Sequence, residues 1–346
     1  EYKPSSIEAD FGFSELSAWQ NNLLTPGLDV HTKWLIGNIM NSASSIVISA
    51  GVASEINFQA IERKTNLLQL DTKITYKSPW TLNFRFPSVF NIFYEIDNIQ
   101  NDNLKRFGIS HKIFWDKTIK SRFEIKSTYQ IINSDYAYTT EDSEPIRSIE
   151  LNHITNNVQN IVRPAGGYYF KLTSTMFGII LGGKRNFIKI TSEYRKYIKL
   201  FQRGIIAFRF KSGYIYNLKN NDELPVYYTF ELGGQSSLRG WASPRAFDTG
   251  KLIYDMINLE YRFPIYKKWG GELLIDAGRL YNKIYEFSNT NISWNYGYGI
   301  TYETGLGPIR IEYALPYVGS SDYKITVNEA AYINTGELHV SLLYMF

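Results

Sequence analysis

Residues 294–303 read WNYGYGITYE, with Trp294, Tyr296, Tyr298, Ile300 and Tyr302 on one parity and Asn295, Gly297, Gly299, Thr301 and Glu303 on the other. A period of two is the mark of a β-strand, whose successive side chains leave the pleat on opposite sides. A helix, with a period of about 3.6, could not separate these residues into two faces. The segment therefore predicts a strand that is apolar on one side and polar on the other.

The same split recurs outward from it. In 253–263, Ile253, Ile257, Leu259, Tyr261 and Phe263 oppose Asn258, Glu260 and Arg262. In 272–278, Leu273, Ile275 and Ala277 oppose Glu272, Asp276 and Gly278, and in 308–313, Ile309, Ile311 and Tyr313 oppose Arg310 and Glu312. A last strand puts Val340, Leu342, Tyr344 and Phe346 on one face. Upstream, Ile119, Phe123, Ile125, Tyr129 and Ile131 oppose Lys120, Arg122, Glu124, Lys126 and Gln130. Segments 187–195 and 204–211 behave alike, with Lys189, Glu193 and Arg195 opposing Ile188, Ile190 and Tyr194, and Ala207, Arg209 and Lys211 opposing Ile206, Phe208 and Phe210.

A soluble sandwich and a membrane barrel both alternate, with opposite faces turned to the core. Parity alone does not separate them. Composition favours the barrel, because 16% of the 346 residues are aromatic, with 27 Tyr and 21 Phe. Tyr and Trp near strand ends suit the interfacial girdles of an outer-membrane barrel. No apolar run reaches the ~18 residues of a transmembrane helix, and a barrel needs none. Sixteen strands would leave roughly 22 residues for each strand and connection, although fourteen or eighteen also fit.

The chain has no Cys, as suits a protein that crosses an oxidising periplasm without a disulfide. No basic, apolar leader opens it at Glu1, so a mature or trimmed product is expected. A net charge of +4, from 37 basic and 33 acidic residues spread along strands, is too balanced to indicate nucleic acid. Outer-membrane lipid and lipopolysaccharide phosphates are the expected surroundings. Turns are expected at Lys267 to Gly271 and Thr304 to Gly307, and longer polar stretches at 133–158 and 214–229 read as extracellular loops.

Several ordered motifs resemble the BamA/TamA outer-membrane assembly-factor superfamily. GGQSSLRGW, residues 233–241, is similar to that family's Arg-Gly-aromatic motif in its sixth extracellular loop, with Trp241 where Phe or Tyr is usual. NLEYRFPIY, LLIDAGRLYN and YGYGITYETGLGPIRIEYALPY resemble its strands twelve to fifteen, in family order. Weaker likenesses are RPAGGYYFKLTST from Arg163 and NNLLTPGLDV near the start. The resemblance implies an all-β, sixteen-stranded transmembrane antiparallel barrel in a bacterial outer membrane, one domain over 1–346, with loop 217–250 folded into the lumen. Family members usually carry periplasmic POTRA domains before the barrel, and these residues hold no counterpart.

In the family the loop arginine pairs with acids on strands twelve and thirteen, which implies that Arg239 meets Glu260 and Asp276. Parity independently puts both carboxylates on the charged face. A guanidinium suits the role because its planar fork bonds carboxylates in two directions and can stack on an aromatic such as Trp241. Gly233, Gly234 and Gly240 are expected to supply positive-φ bends. An arginine in such a Gly/Ser-rich stretch is otherwise a solvated loop charge.

Val340, Leu342, Tyr344 and Phe346 are similar to the C-terminal strand signal of barrel proteins, with Ser341 where Gly is often found. Catalysis has little support. His31, His111, His153 and His339 are scattered without a second ligand at metal spacing, so neither a metal nor a cofactor is expected. Leu238 stands where the final Gly of a nucleophile elbow would be. The expected role is assistance to insertion or translocation of client outer-membrane proteins, alone or with accessory subunits. It would act through a seam between a first strand around Phe11 to Trp19 and a last around Val340 to Phe346. The alternative is a passive pore or a scaffold within an outer-membrane complex.

Overall fold

The computed structural model describes the chain except at residues 1–4, 17–24, 40–41, 56–66, 82–83, 100–101, 135–142, 180, 184, 201–203, 219–223, 242–249, 289–291, 306, 318–335, 343 and 345. Sixteen strands hydrogen-bond in sequence order into one sheet. They are β1 (Ser5–Leu16), β2 (Thr25–Ile39), β3 (Ser44–Glu55), β4 (Leu67–Ser78), β5 (Ser88–Ile99), β6 (Asp102–Thr118), β7 (Ser121–Ser134) and β8 (Glu144–Asn156). Next come β9 (Gly167–Phe177), β10 (Phe187–Lys199), β11 (Ile205–Asn217), β12 (Ile253–Tyr266), β13 (Trp269–Tyr281), β14 (Ser293–Thr304), β15 (Gly307–Tyr317) and β16 (Glu337–Leu342). Single turns of 3₁₀ helix occur at Val226–Tyr228 and Ile284–Ser288.

The chain divides into two compact units. The first comprises Glu1–His153, Ser174–Ile188 and Asn217–Lys219. On its apolar side, register aligns Trp34, Ile48, Ile74, Ile92, Ile109 and Tyr129 across successive strands. All six are exposed large hydrophobics. On the opposite side Thr75 Oγ1 donates to Asn91 Oδ1 at 2.9 Å, and Asn91 Nδ2 donates to Ser110 Oγ at 3.1 Å, both buried. The polar side is thus the packed side, the reverse of a soluble sandwich and the arrangement a lipid-facing sheet requires.

The second unit comprises Ile154–Thr173, Lys189–Tyr216 and Asn220–Phe346. Its apolar side carries Leu273 at 53%, Tyr298 at 58% and Ile311 at 51% exposure, while Asp276, Asn295 and Arg310 opposite them are fully buried. Register sets Asp276 between Asn258 on β12 and Asn295 on β14. It sets Glu272 opposite Gly299, where a Cβ would lie 2.5 Å from the Glu272 carboxylate. Gly299 of WNYGYGITYE therefore makes room for a charged neighbour, whereas Gly297 admits the β15 backbone at Tyr313 and Ala314.

Several boundaries differ from expectation. Of the first expected loop, 133–158, residues 135–142 lie outside the described residues and 144–156 form β8. Its faces are mixed, with Ile146 buried on one parity and Arg147 and Leu151 exposed on the other, so a two-residue amphipathic period is lost. Tyr214 to Asn217 of the second expected loop complete β11. Gly270 and Gly271 lie within β13, and the turn before it is Lys267 and Lys268, with Lys267 at φ 50°. β1 ends at Leu16, and Trp19 lies outside the described residues. β16 ends at Leu342, so Tyr344 and Phe346 do not continue the strand.

Candidate functional site

Between β11 and β12 the described residues 224–241 form an arm laid over the polar side of the second unit. Its base is closed by reciprocal pairing of Phe230 with Lys251. Higher up, Lys189 Nζ donates to the Tyr228 carbonyl at 2.8 Å and lies 4.5 Å from the Phe230 ring centroid. Gly213 permits that ring to approach, since a Cβ there would stand 2.5 Å from Phe230 Cζ. The tip is a closed turn, with Gly234 N–H donating to the Trp241 carbonyl at 2.9 Å and Ser237 N–H to the Gly234 carbonyl at 3.0 Å.

Gly233 and Gly234 take φ values of 118° and 80°, a region that only glycine enters freely. Gly240 differs from expectation. It is not among the positive-φ glycines, and its demand is steric: a Cβ would stand 2.6 Å from Asn295 Cβ and 2.8 Å from Pro316 N. Backbone atoms of β15 cannot retreat easily, so glycine lets the arm touch the sheet. Trp241 packs with Leu232, Leu238 and Met256 in a buried apolar cluster that seats the arm beside the charges.

Arg239 is fully buried. Its Nε and Nη2 donate in parallel to Asp276 at 2.9 and 2.6 Å, and its backbone N–H reaches the same carboxylate at 3.1 Å. Nη1 donates to Glu260 and, at 2.7 Å, to Glu312. The guanidinium thus joins acids from β12, β13 and β15. Asp276 also accepts from Asn258 Nδ2 at 2.7 Å and Asn295 Nδ2 at 2.9 Å, the two neighbours that strand register supplies. Its oxygens are saturated with donors, which is what allows an ionised carboxylate to be buried.

Further charges complete the network. Arg262 donates to the second oxygen of Glu260 at 2.8 and 2.6 Å. Arg310 bonds Glu312 and approaches Glu272 at 3.2 Å. Arg209 donates to Asn258 Oδ1 at 2.9 Å and to the Ser236 carbonyl of the arm at 2.7 Å. Four arginines, 209, 239, 262 and 310, therefore face four carboxylates, 260, 272, 276 and 312, with each group at most 3% exposed. His339 Nε2 donates to the Arg239 carbonyl at 2.7 Å.

The expected residues Arg239, Gly240, Glu260 and Asp276 come together, with Trp241 beside them. Sequence reading singled out neither Arg209, Asn258, Arg262, Glu272, Asn295, Arg310 nor His339 as part of the site, although parity had placed all but His339 on the charged face. Glu303, on the same parity, instead meets Arg163 at 2.6 Å. In β16, Val340 is 54% exposed, whereas Phe346 beyond the strand is 3% exposed, so the two occupy different environments. Of Leu342 only its pairing with Ile309 is described. Among the described residues, no cluster of His, Cys, Asp and Glu has metal-binding geometry.

The Omp85 superfamily domain matches residues 38–336. Over 167 residues the chain is 28% identical to the outer membrane protein assembly factor BamA of Nitratidesulfovibrio vulgaris, covering 44% of this chain and 21% of that protein. The match thus spans about a fifth of the relative's length. The crystal structure of Haemophilus ducreyi BamA lacking POTRA domains 1–3 superposes with a TM-score of 0.75 at 15% identity, covering 93% of this chain and 68% of that one. CdiB of Escherichia coli superposes at 0.56 with 11% identity, covering 98% and 62%. CdiB of Acinetobacter baumannii gives 0.53 with 9% identity, covering 92% and 57%. The likeness is one of fold, and in this chain that fold is all-β, with sixteen antiparallel strands in one sheet.

Proposed function

The chain belongs to the Omp85 superfamily of bacterial outer-membrane barrels, and from that premise we propose that it assists insertion or translocation of other outer-membrane proteins. Residues 1–346 act as one barrel domain, and the arm within 217–250 plugs its lumen from the extracellular side. Client barrel proteins, with or without accessory subunits, are the partners in this reading, and outer-membrane lipid and lipopolysaccharide surround it. The seam between β1 and β16 is where a client strand would pair, since an unpaired strand edge templates another by backbone hydrogen bonds.

The observation that carries the proposal is Arg239, fully buried and bonded to Asp276, Glu260 and Glu312. A barrel serving only as a scaffold needs no buried ionic lock on a loop. Burying such charges costs several kcal/mol per ion before pairing offsets it, and well-packed apolar residues would stabilise a static plug as well. The test is insertion of a client barrel into liposomes containing the purified protein. Folding of the client should accelerate, and Arg239→Ala should slow it while the barrel itself stays inserted. A parent protein that conducts ions steadily yet leaves client folding unchanged would replace this reading with the passive pore.

A further inference from the structure

After β16 ends at Leu342, Tyr344 and Phe346 turn onto the polar side of their own unit and meet three arginines. The Arg262 guanidinium lies 3.8 Å from the Tyr344 ring centroid and 5.5 Å from that of Phe346. Its Nη2 also donates to the Phe346 carbonyl at 3.0 Å. Arg310 lies 5.2 Å from the Tyr344 ring, and Arg209 lies 4.8 Å from the Phe346 ring. Tyr197 and Ala207 pack with Phe346 in a buried cluster. Aromatic faces are negative, so these rings solvate buried guanidiniums in place of water. The fork of Arg262 meanwhile holds the main-chain oxygen of Phe346.

Each of these arginines has its other hand in the network that holds the arm. Arg262 takes one oxygen of Glu260 while Arg239 takes the other. Arg310 bonds Glu312, which also accepts from Arg239. Arg209 donates directly to the arm at the Ser236 carbonyl. His339, within β16, donates to the Arg239 carbonyl. Withdrawing the two rings would strip Arg262 and Arg209 of their desolvated partners and open the cluster to water. Arg262 would then be free to draw Glu260 away from Arg239.

We propose that Arg209, Arg262 and Arg310 form a binding site for an aromatic-x-aromatic segment, occupied by the chain's own Tyr344 and Phe346, and that its occupancy holds the arm in place through Glu260. The inference rests on the lock described under the proposed function and extends it to a second ligand. The arm and the end of β16 then release as one cooperative unit, because they share charged partners and not merely a neighbourhood.

The experiment uses the whole protein in detergent micelles, with amide hydrogen exchange read separately over 230–241 and 337–346. In the double variant Tyr344→Ser, Phe346→Ser, exchange across the arm should rise at least about tenfold, although neither substitution lies in the arm. A fluorescent peptide of sequence ELHVSLLYMF should bind this variant more tightly than the parent and slow arm exchange again. The same peptide with Ser at both aromatic positions should do neither, which separates cage binding from strand pairing. Unchanged arm exchange, equal binding of the two peptides, or binding without renewed protection would each overturn the proposal. Should the double variant fail to fold, Arg262→Lys keeps the charge but loses the fork. It should accelerate exchange in arm and tail together, and acceleration in the tail alone would refute the coupling. Client insertion by the parent is scored independently, so an inert parent counts against the proposed function while leaving the exchange results intact.

Discussion

Arg122 and Asp116 of the first unit meet at 2.7 Å and remain 42% and 50% exposed, and Arg106 and Glu95 meet at 3.3 Å at 31% and 36%. In the second unit Arg239 and Asp276 meet at 2.6 Å with both side chains fully buried. Asp276, like Arg122, Asp116, Arg106 and Glu95, stands on the polar parity of its strand, whereas Arg239 comes from the arm. The difference is the arm. Where residues 230–241 cover the polar face, charges that would be screened by water become a closed network with nearly every oxygen committed. Exposed pairs contribute about 0–1 kcal/mol, whereas breaking a buried one costs about 3–5 kcal/mol because a charge is stranded.

The comparison is broken most severely by Arg239→Ala, which strands Asp276, Glu260 and Glu312 at once. It is expected to lower stability by about 3–5 kcal/mol, read as a shift in the urea midpoint of tryptophan fluorescence in micelles. Protease should then cut between residues 219 and 250, and an arm that stays resistant would count against the lock. Next in size is Gly240→Ala, expected to cost about 1–3 kcal/mol because the new methyl group meets the β15 backbone. The same titration checks it, and a cost below that range would mean the arm does not press on β15.

Asn258→Leu should cost about 1–3 kcal/mol, since it removes donors to Asp276 and the Ser237 carbonyl and the acceptor of Arg209. The smallest effect is expected in the first unit, where Arg122→Ala should change stability by less than about 1 kcal/mol and the change should vanish in high salt. A large, salt-insensitive loss there would erase the contrast between the units.

The strands β12 to β15 were legible because Tyr and Ile on one parity and Asn, Asp, Glu and Arg on the other leave no second reading. The placement of Glu260 and Asp276 on one face followed from the same parity. β8 was hidden because Ile146 shares a parity with polar residues and Arg147 with Leu151, so its amphipathicity cancels. The destination of Phe346 was not legible either. Parity extends a strand indefinitely, whereas the chain leaves the sheet after Leu342 for partners on β11, β12 and β15. Gly240 was identified as necessary for a backbone conformation it does not adopt. The close approach that requires it depends on β14 and β15, which no local sequence signal reports. Arg262 and Arg310 could have been found by asking which cations balance four inward carboxylates, a question of charge and not of motif.

A double-mutant cycle on Arg239→Ala and Asp276→Ala, measured by urea unfolding in micelles, tests the central claim most directly. If the arm is held by that ion pair, the two losses will be strongly non-additive, with a coupling on the order of 2–3 kcal/mol. Additive losses would mean that Arg239 and Asp276 act independently and that the arm is held by something else.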